Sequence, residues 1–208
     1  MPDDPAARSE LHRSVYNEHA QAFDAHRGKT LFERAWLDRF LSSLTDQAEI
    51  LDMGCGSAEP IAAYLIERGH RVTGVDFAPA MLDLARNRFP DYAWIEADMT
   101  ALSLKQNFDG IIAWNSFFHL TMAQQSAMFP IFAHHLKPGG ALMFSSGPSA
   151  GESVPGTVNG QTVLHSSHSP AGYTELMESN GLELRQFKAE DTECRGHTVW
   201  IARKATQA

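Results

Sequence analysis

Between Leu51 and Ala58 the chain reads Leu-Asp-Met-Gly-Cys-Gly-Ser-Ala, with Gly54 and Gly56 close behind the apolar pair Ile50-Leu51. Glycine at the carboxyl end of a strand lets the backbone turn tightly and lets a ligand approach the main chain itself. Two glycines alone would also suit an ordinary strand-to-helix turn. Asp76 changes that balance, because it ends the next apolar run 20 residues beyond Gly56. A carboxylate there can bind both ribose hydroxyls of an adenosine cofactor. Glu96 and Asp98 flank the end of a third such run, at what should be the same edge of a sheet.

Placing these acids together requires strands that alternate with helices, and the sequence supplies that rhythm. Ile50 to Asp52, Arg71 to Asp76, Tyr92 to Ala97, Phe108 to Trp114 and Ala141 to Ser145 read as five strands. Helices are expected from Pro60 to Gly69, from Pro79 onward, and from Met122 to Leu136, where Pro130 should kink or restart the helix. Pro138-Gly139-Gly140 reads as a stop, and Ser169-Pro170 opens a helix that ends at Asn180-Gly181. Leu184 to Lys188 and Thr198 to Arg203 could close the sheet as an antiparallel hairpin. Ahead of all this, residues 8–44 are helical in pattern, with Gly28 dividing a helix carrying Tyr16 and Phe23 from one carrying Trp36, Leu37, Phe40, Leu41 and Leu44. Residues 146–169 break the rhythm: they are rich in Gly, Ser and Pro, and Asn159-Gly160 between Thr157-Val158 and Thr162-Val163 is a two-residue hairpin signal. Such a long excursion is more often functional than accidental.

The ordered series LDMGCGSAEP, VTGVDFAPAMLDLAR, EADM, FDGIIAW and LKPGGALMFSS resembles the motifs of class I S-adenosylmethionine-dependent methyltransferases of the small-molecule type, over roughly half the chain. That resemblance implies an α/β Rossmann-like fold: a doubly wound, mostly parallel seven-stranded sheet with a closing antiparallel C-terminal hairpin and N-terminal helices. It implies one domain over 1–208, with 8–44 as a helical lid on a 49–208 core. Carried over by position, it implies that Gly54, Cys55 and Gly56 approach the cofactor through their backbone. Asp52 supports that loop or reaches the cofactor's amino group, and Asp76 holds the ribose. Phe77 and Met81 lie against the adenine, and Asp98, with Met99 beside it, meets the exocyclic amine. One departure is Ala58, where the family often has a third glycine.

The run Trp114-Asn115-Ser116-Phe117-Phe118-His119 occupies the position that in this family lies beneath the transferable methyl. Trp114 should therefore border the cofactor, and Asn115, Phe118 and His119 the acceptor, while one of the two phenylalanines belongs to the core. His119 is the candidate general base, since its ordinary pKa lies near neutrality; it could equally satisfy a backbone carbonyl. His165 and His168 close the excursion. They would need two further ligands to hold a metal, and none is evident, so they read as solvated loop histidines with substrate contact as the alternative. Arg27, near Tyr16 and Phe23, could pair with the cofactor's carboxylate if the N-terminal helices fold over it; otherwise it is a surface arginine.

The net charge of −8 and the absence of a Lys/Arg cluster argue against a nucleic-acid partner. No apolar run is long enough to span a bilayer, the acidic Met-Pro-Asp-Asp-Pro start is unlike a secretory signal, and Cys55 and Cys194 form no CxxC pair. A soluble cytoplasmic enzyme acting on a small-molecule acceptor fits these features. A non-catalytic S-adenosylmethionine-binding sensor or partner subunit is the runner-up. A NAD-dependent oxidoreductase is disfavoured, because Glu59 stands where GxGxxG has its last glycine and a carboxylate there would repel a pyrophosphate.

Overall fold

The computed structural model describes residues 4–206; Met1 to Asp3, the start of the acidic leader, lie outside the described residues. Seven strands form one sheet in the order β3-β2-β1-β4-β5-β9-β8. These are β1 (Glu49–Met53), β2 (Arg71–Asp76), β3 (Ala93–Glu96), β4 (Phe108–Ala113), β5 (Leu136–Ser146), β8 (Leu182–Asp191) and β9 (His197–Lys204). β1 to β5 pair in parallel, and β9 joins antiparallel between β5 and β8. The chain leaves β1 toward β2 on one side and returns to β4 on the other. That reversal opens a crevice at the carboxyl ends of β1 and β4.

The central parallel strands β1, β2 and β4 are buried along almost their whole length, as strands covered on both faces must be, while the edge strand β3 is more exposed. One apolar layer gathers Trp36, Leu37 and Phe40 of α3 (Arg34–Leu41) with Ile61 and Leu65 of α4 (Ile61–Glu67) and Leu82 of α5 (Pro79–Arg88). The other gathers Phe129 and Phe132 of α6 (Met122–His135), Tyr173 and Met177 of α7 (Pro170–Ser179), and Phe117, Phe144 and Trp200. Phe117 is thus the core member of the phenylalanine pair.

Three expectations about the elements change, and the hairpin expected in the excursion forms. The N-terminal segment holds three helices, because α1 (Pro5–Glu18) ends at His19 and α2 (Ala20–His26) begins anew before the break around Gly28. Tyr16 and Phe23 therefore sit on different helices. The break lets Asn17 Oδ1 accept from the Ala80 amide at 3.1 Å while Asp24 accepts from Ser57 Oγ at 2.6 Å. The helix α6 runs without interruption through Pro130. β5 starts at Leu136 and takes in Pro138-Gly139-Gly140 as an irregularity in its pairing with β4, so that sequence bulges the strand. The 146–169 excursion is mostly a two-stranded sheet, β6 (Gly151–Val158) with β7 (Gln161–Ser167). Its turn residues Asn159 (φ 47°) and Gly160 (φ 79°) both adopt the left-handed conformation that such a hairpin needs. Among the described residues no helix is long and apolar enough to cross a membrane.

Candidate functional site

A cleft of about 1020 Å³, part of it open to solvent, lies where α1 and α2 cross the carboxyl ends of β1, β2 and β4. Its floor is the glycine loop. Gly54 (φ 79°) packs so closely on Ser116 that a β-carbon would lie 2.2 Å from the serine Cβ. Gly56 (φ 54°) has open space where a side chain would be, so its backbone faces the cleft bare. Ala58 and Asn115 also hold positive φ, 68° and 51°. Non-glycine residues seldom adopt this conformation, and they concentrate where a ligand dictates the geometry.

Of the residues singled out in the sequence, Tyr16, Arg27, Asp52, Gly54, Cys55, Gly56, Asp76, Phe77, Met81, Asp98, Met99, Trp114, Asn115 and His119 all line this cleft. Phe118 and His165 stand behind it: the His165 ring lies 4.6 Å from Phe118 and 5.0 Å from His119, seated over Gly156, which has no side chain to obstruct it. His168 is not brought to the cleft. Its Nε2 is 2.9 Å from the Met122 carbonyl and 3.1 Å from Ser126 Oγ, which ties the segment after β7 to α6. These contacts hold its partly exposed ring away from the residues that line the cleft.

The acids occupy one end. Asp76 accepts from the amides of Gly56 and Ala78, both at 2.9 Å, and so braces the loop while standing at the cleft wall. Burial nonetheless raises its pKa to about 6. Asp52 has no hydrogen-bond partner among the described residues, and burial pushes its pKa up to about 7 against the opposing pull of Arg27. Asp98 spends Oδ1 on Thr100, whose amide lies at 2.8 Å. Glu59 reaches Lys29 at 2.7 Å, so the repulsion expected of its charge is partly neutralised.

Arg27 meets Glu33 Oε1 at 3.7 Å, too far for a hydrogen bond, and its Nε is buried without a partner. Glu33 is wholly enclosed with neither oxygen hydrogen-bonded, and burial raises its pKa. Trp114 stacks on His197 at 5.3 Å, and its indole N–H is also buried without a partner. The wall thus holds an unpartnered carboxylate, a guanidinium with open donors and an unfilled N–H.

The other end is built from imidazoles. Leu164 of β7 donates its amide to His12 Nε2 at 3.0 Å, and its carbonyl lies 3.4 Å from His119 Nδ1. A carbonyl can only accept, so Nδ1 of His119 carries the proton, and Nε2 is left to accept from the Tyr16 hydroxyl at 2.9 Å. His119 does satisfy a backbone carbonyl, one of its two expected roles, but neither ring nitrogen points freely at a ligand. Burial first, then the neighbouring His12 and His165, hold its pKa well below the usual imidazole value. Arg8 and His12 went unnoticed in the sequence, although their i, i+4 spacing, continued by Tyr16, puts all three on one face of α1.

This architecture is the Rossmann-like fold seen in solved methyltransferases. Over 97% of its length the chain superposes, with a TM-score of 0.76 at 20% identity, on 90% of 1,6-didemethyltoxoflavin-N1-methyltransferase from Burkholderia thailandensis, solved with its acceptor and S-adenosylhomocysteine. Residues 50–140 match the methyltransferase domain family, in keeping with the motif resemblance. Similarity to curated proteins agrees. Trans-aconitate 2-methyltransferase of Azoarcus sp. (strain BH72) is 36% identical over 101 residues, 48% of this chain and 39% of that protein. The dTDP-3-amino-3,4,6-trideoxy-alpha-D-glucopyranose N,N-dimethyltransferase of Streptomyces venezuelae is 28% identical over 168 residues, 73% of this chain and 70% of that protein. The chain thus spans well under half the length of the trans-aconitate relative it matches.

Proposed function

We propose that this protein transfers a methyl group from S-adenosylmethionine to a small-molecule acceptor. The observation that carries this is the pairing, in one cleft, of an unpartnered buried carboxylate, Asp52, with a guanidinium whose donors are open, Arg27. Those two groups suit the ammonium and carboxylate of an amino-acid moiety. Asp76 and Asp98 stand at the ends of neighbouring strands for the ribose and the adenine amine, with Phe77, Met81 and Met99 as the apolar wall and the Gly54–Gly56 backbone beneath. Cys55, its thiol pKa raised well above the ordinary value by burial, contributes main chain and is no nucleophile.

The cofactor supplies an activated methyl on a good leaving group, so the chain's task is to align the acceptor, exclude water and receive a proton. Tyr16 is the group placed for the last task. Its oxygen can accept a hydrogen bond from the acceptor while its own proton moves to His119 Nε2, whose imidazole is neutral at physiological pH. His119 thus acts through Tyr16, and Asn115 and Phe118 shape the acceptor's surroundings. Isothermal calorimetry with S-adenosylhomocysteine is the test: micromolar binding supports the proposal, and binding no tighter than that of NADH overturns it.

A further inference from the structure

The helix α1 is built inside out. It buries Arg8 and His12, each only 2% exposed, while leaving Leu11 40% exposed. A helix that served only to pack would do the opposite. Arg8, His12 and Tyr16 form one inward polar face, and all three line the cleft opposite its acidic end.

Two donors on that face are unfilled. Arg8 is clamped through its terminal nitrogens, to Glu152 at 3.1 Å, Ser166 at 2.9 Å and Ser153 at 3.1 Å, while its Nε–H is buried with no partner. His12 accepts from Leu164 on Nε2, so its proton resides on Nδ1, which has no partner among the described residues. The charged and titratable groups around this end are Arg8, His12, Tyr16, His119 and His165, with Glu152 behind Arg8 and with Asp76 and Arg27 acting on Tyr16 from the other end. Glu152 is no cleft residue, and its second oxygen is held by the Met122 amide at 3.0 Å. The carboxylates that do line the cleft, Asp52, Glu59, Asp76 and Asp98, all belong to the sheet edge and its loops. An ammonium entering between Arg8 and the imidazoles would meet a fixed cation, with Glu152 already engaged by Arg8 and the Met122 amide, whereas an anion would find both donors.

We propose that the acceptor bears a carboxylate, bound by Arg8 and the Nδ1–H of His12. This rests on the methyl-transfer function proposed above and adds the acceptor's chemical class. The electrostatics agree: Arg8 contributes to holding the pKa values of His12, His119 and His165 low, that of His12 at about 4. A bound anion would relieve that field and raise all three.

The experiment is NMR titration of the imidazole Cε1–H signals, with and without S-adenosylhomocysteine, using trifluoroacetate, a carboxylate that stays ionised where His12 titrates, as probe and trifluoroacetamide as its neutral isostere. Trifluoroacetate should raise the pKa of His12 by about one unit, trifluoroacetamide should leave it unmoved, and Arg8→Gln should weaken the trifluoroacetate response by about tenfold or more. Should Arg8→Gln loosen α1, Arg8→Lys keeps the charge and should retain a response. Equal effects of the two probes, no effect of either, or an undiminished response in a folded Arg8→Gln protein would overturn the proposal. A trifluoroacetate response in a protein that fails to bind S-adenosylhomocysteine would leave the anion site standing and remove the methyl-transfer function.

Discussion

The hydroxyl of Tyr16, on the first helix, lies 2.9 Å from Nε2 of His119, just beyond the fourth strand, across 103 residues of sequence. This contact couples the two side chains, and the proposed mechanism uses them as one relay. Tyr16→Phe and His119→Asn should each lower turnover by about 10²–10⁴-fold while leaving cofactor affinity nearly intact. The double variant should be no worse than the poorer single one, because both break the same relay. Burial raises the Tyr16 pKa and depresses that of His119, so the phenol stays protonated and the imidazole neutral between about pH 6 and 9. Turnover at saturating cofactor should be flat across that range, the pH dependence of cofactor affinity being left to the acids. An acceptor that is already anionic at the assay pH should lose less in either variant.

Asp76 touches both the glycine loop and the cleft. Asp76→Ala should weaken binding of S-adenosylhomocysteine by about 1.5–3 kcal/mol, the range for charge-assisted hydrogen bonds. Calorimetry on the wild type and the variant measures this directly. An affinity unchanged by the substitution would remove the carboxylate from the site.

Asp52 should trade stability for binding. Its folded pKa is about 7 against an ordinary 3.8, so between those values the folded chain holds a proton that the unfolded chain has released. Its contribution to stability therefore falls as pH rises through this window, and the penalty is fully present above about pH 7. Asp52→Asn should melt higher than the wild type at pH 8, by no more than about 4 kcal/mol, and nearly equally at pH 4. An ammonium bound to Asp52 needs it ionised, so wild-type affinity for S-adenosylhomocysteine should drop from pH 8 to pH 5.5, and the variant's should drop less. Thermal melts and calorimetry at these pH values check both halves.

The N-terminal helices should respond to the cofactor as a lid. Tyr16 and Arg27 line the cleft, and Asn17 and Asp24 fasten α1 and α2 to the amide of Ala80 and the hydroxyl of Ser57. Amide hydrogen exchange across residues 5–40 should slow when S-adenosylhomocysteine is added. Unchanged exchange, with normal affinity after removal of α1, would reduce these helices to packing.

Much of the cofactor side was legible in the sequence because its chemistry is local. Asp52, the glycines, Asp76 and Asp98 each sit at or just beyond the carboxyl end of a strand that apolar periodicity reveals, and parallel pairing brings those ends to one edge. The closing strands were legible for the same reason, although β8 and β9 run longer than their apolar stretches, since exposed strand residues leave no hydrophobic mark. Pro130 and Pro138 misled because tertiary packing holds a helix and a strand through positions that disfavour them locally.

The acceptor side was decided only in three dimensions. His12, His119 and His165 come from a helix, a strand end and a hairpin, and main-chain groups of Leu164, which no side-chain pattern announces, orient the first two. His168 bears the same residue type three positions from His165, yet α6 claims it as a packing contact. Periodicity and turn chemistry act over a few residues and settle which elements form. Which histidine borders the cleft and which ties two segments together depends on hydrogen bonds between segments 42 to 152 residues apart, and only the packed chain brings those partners within reach.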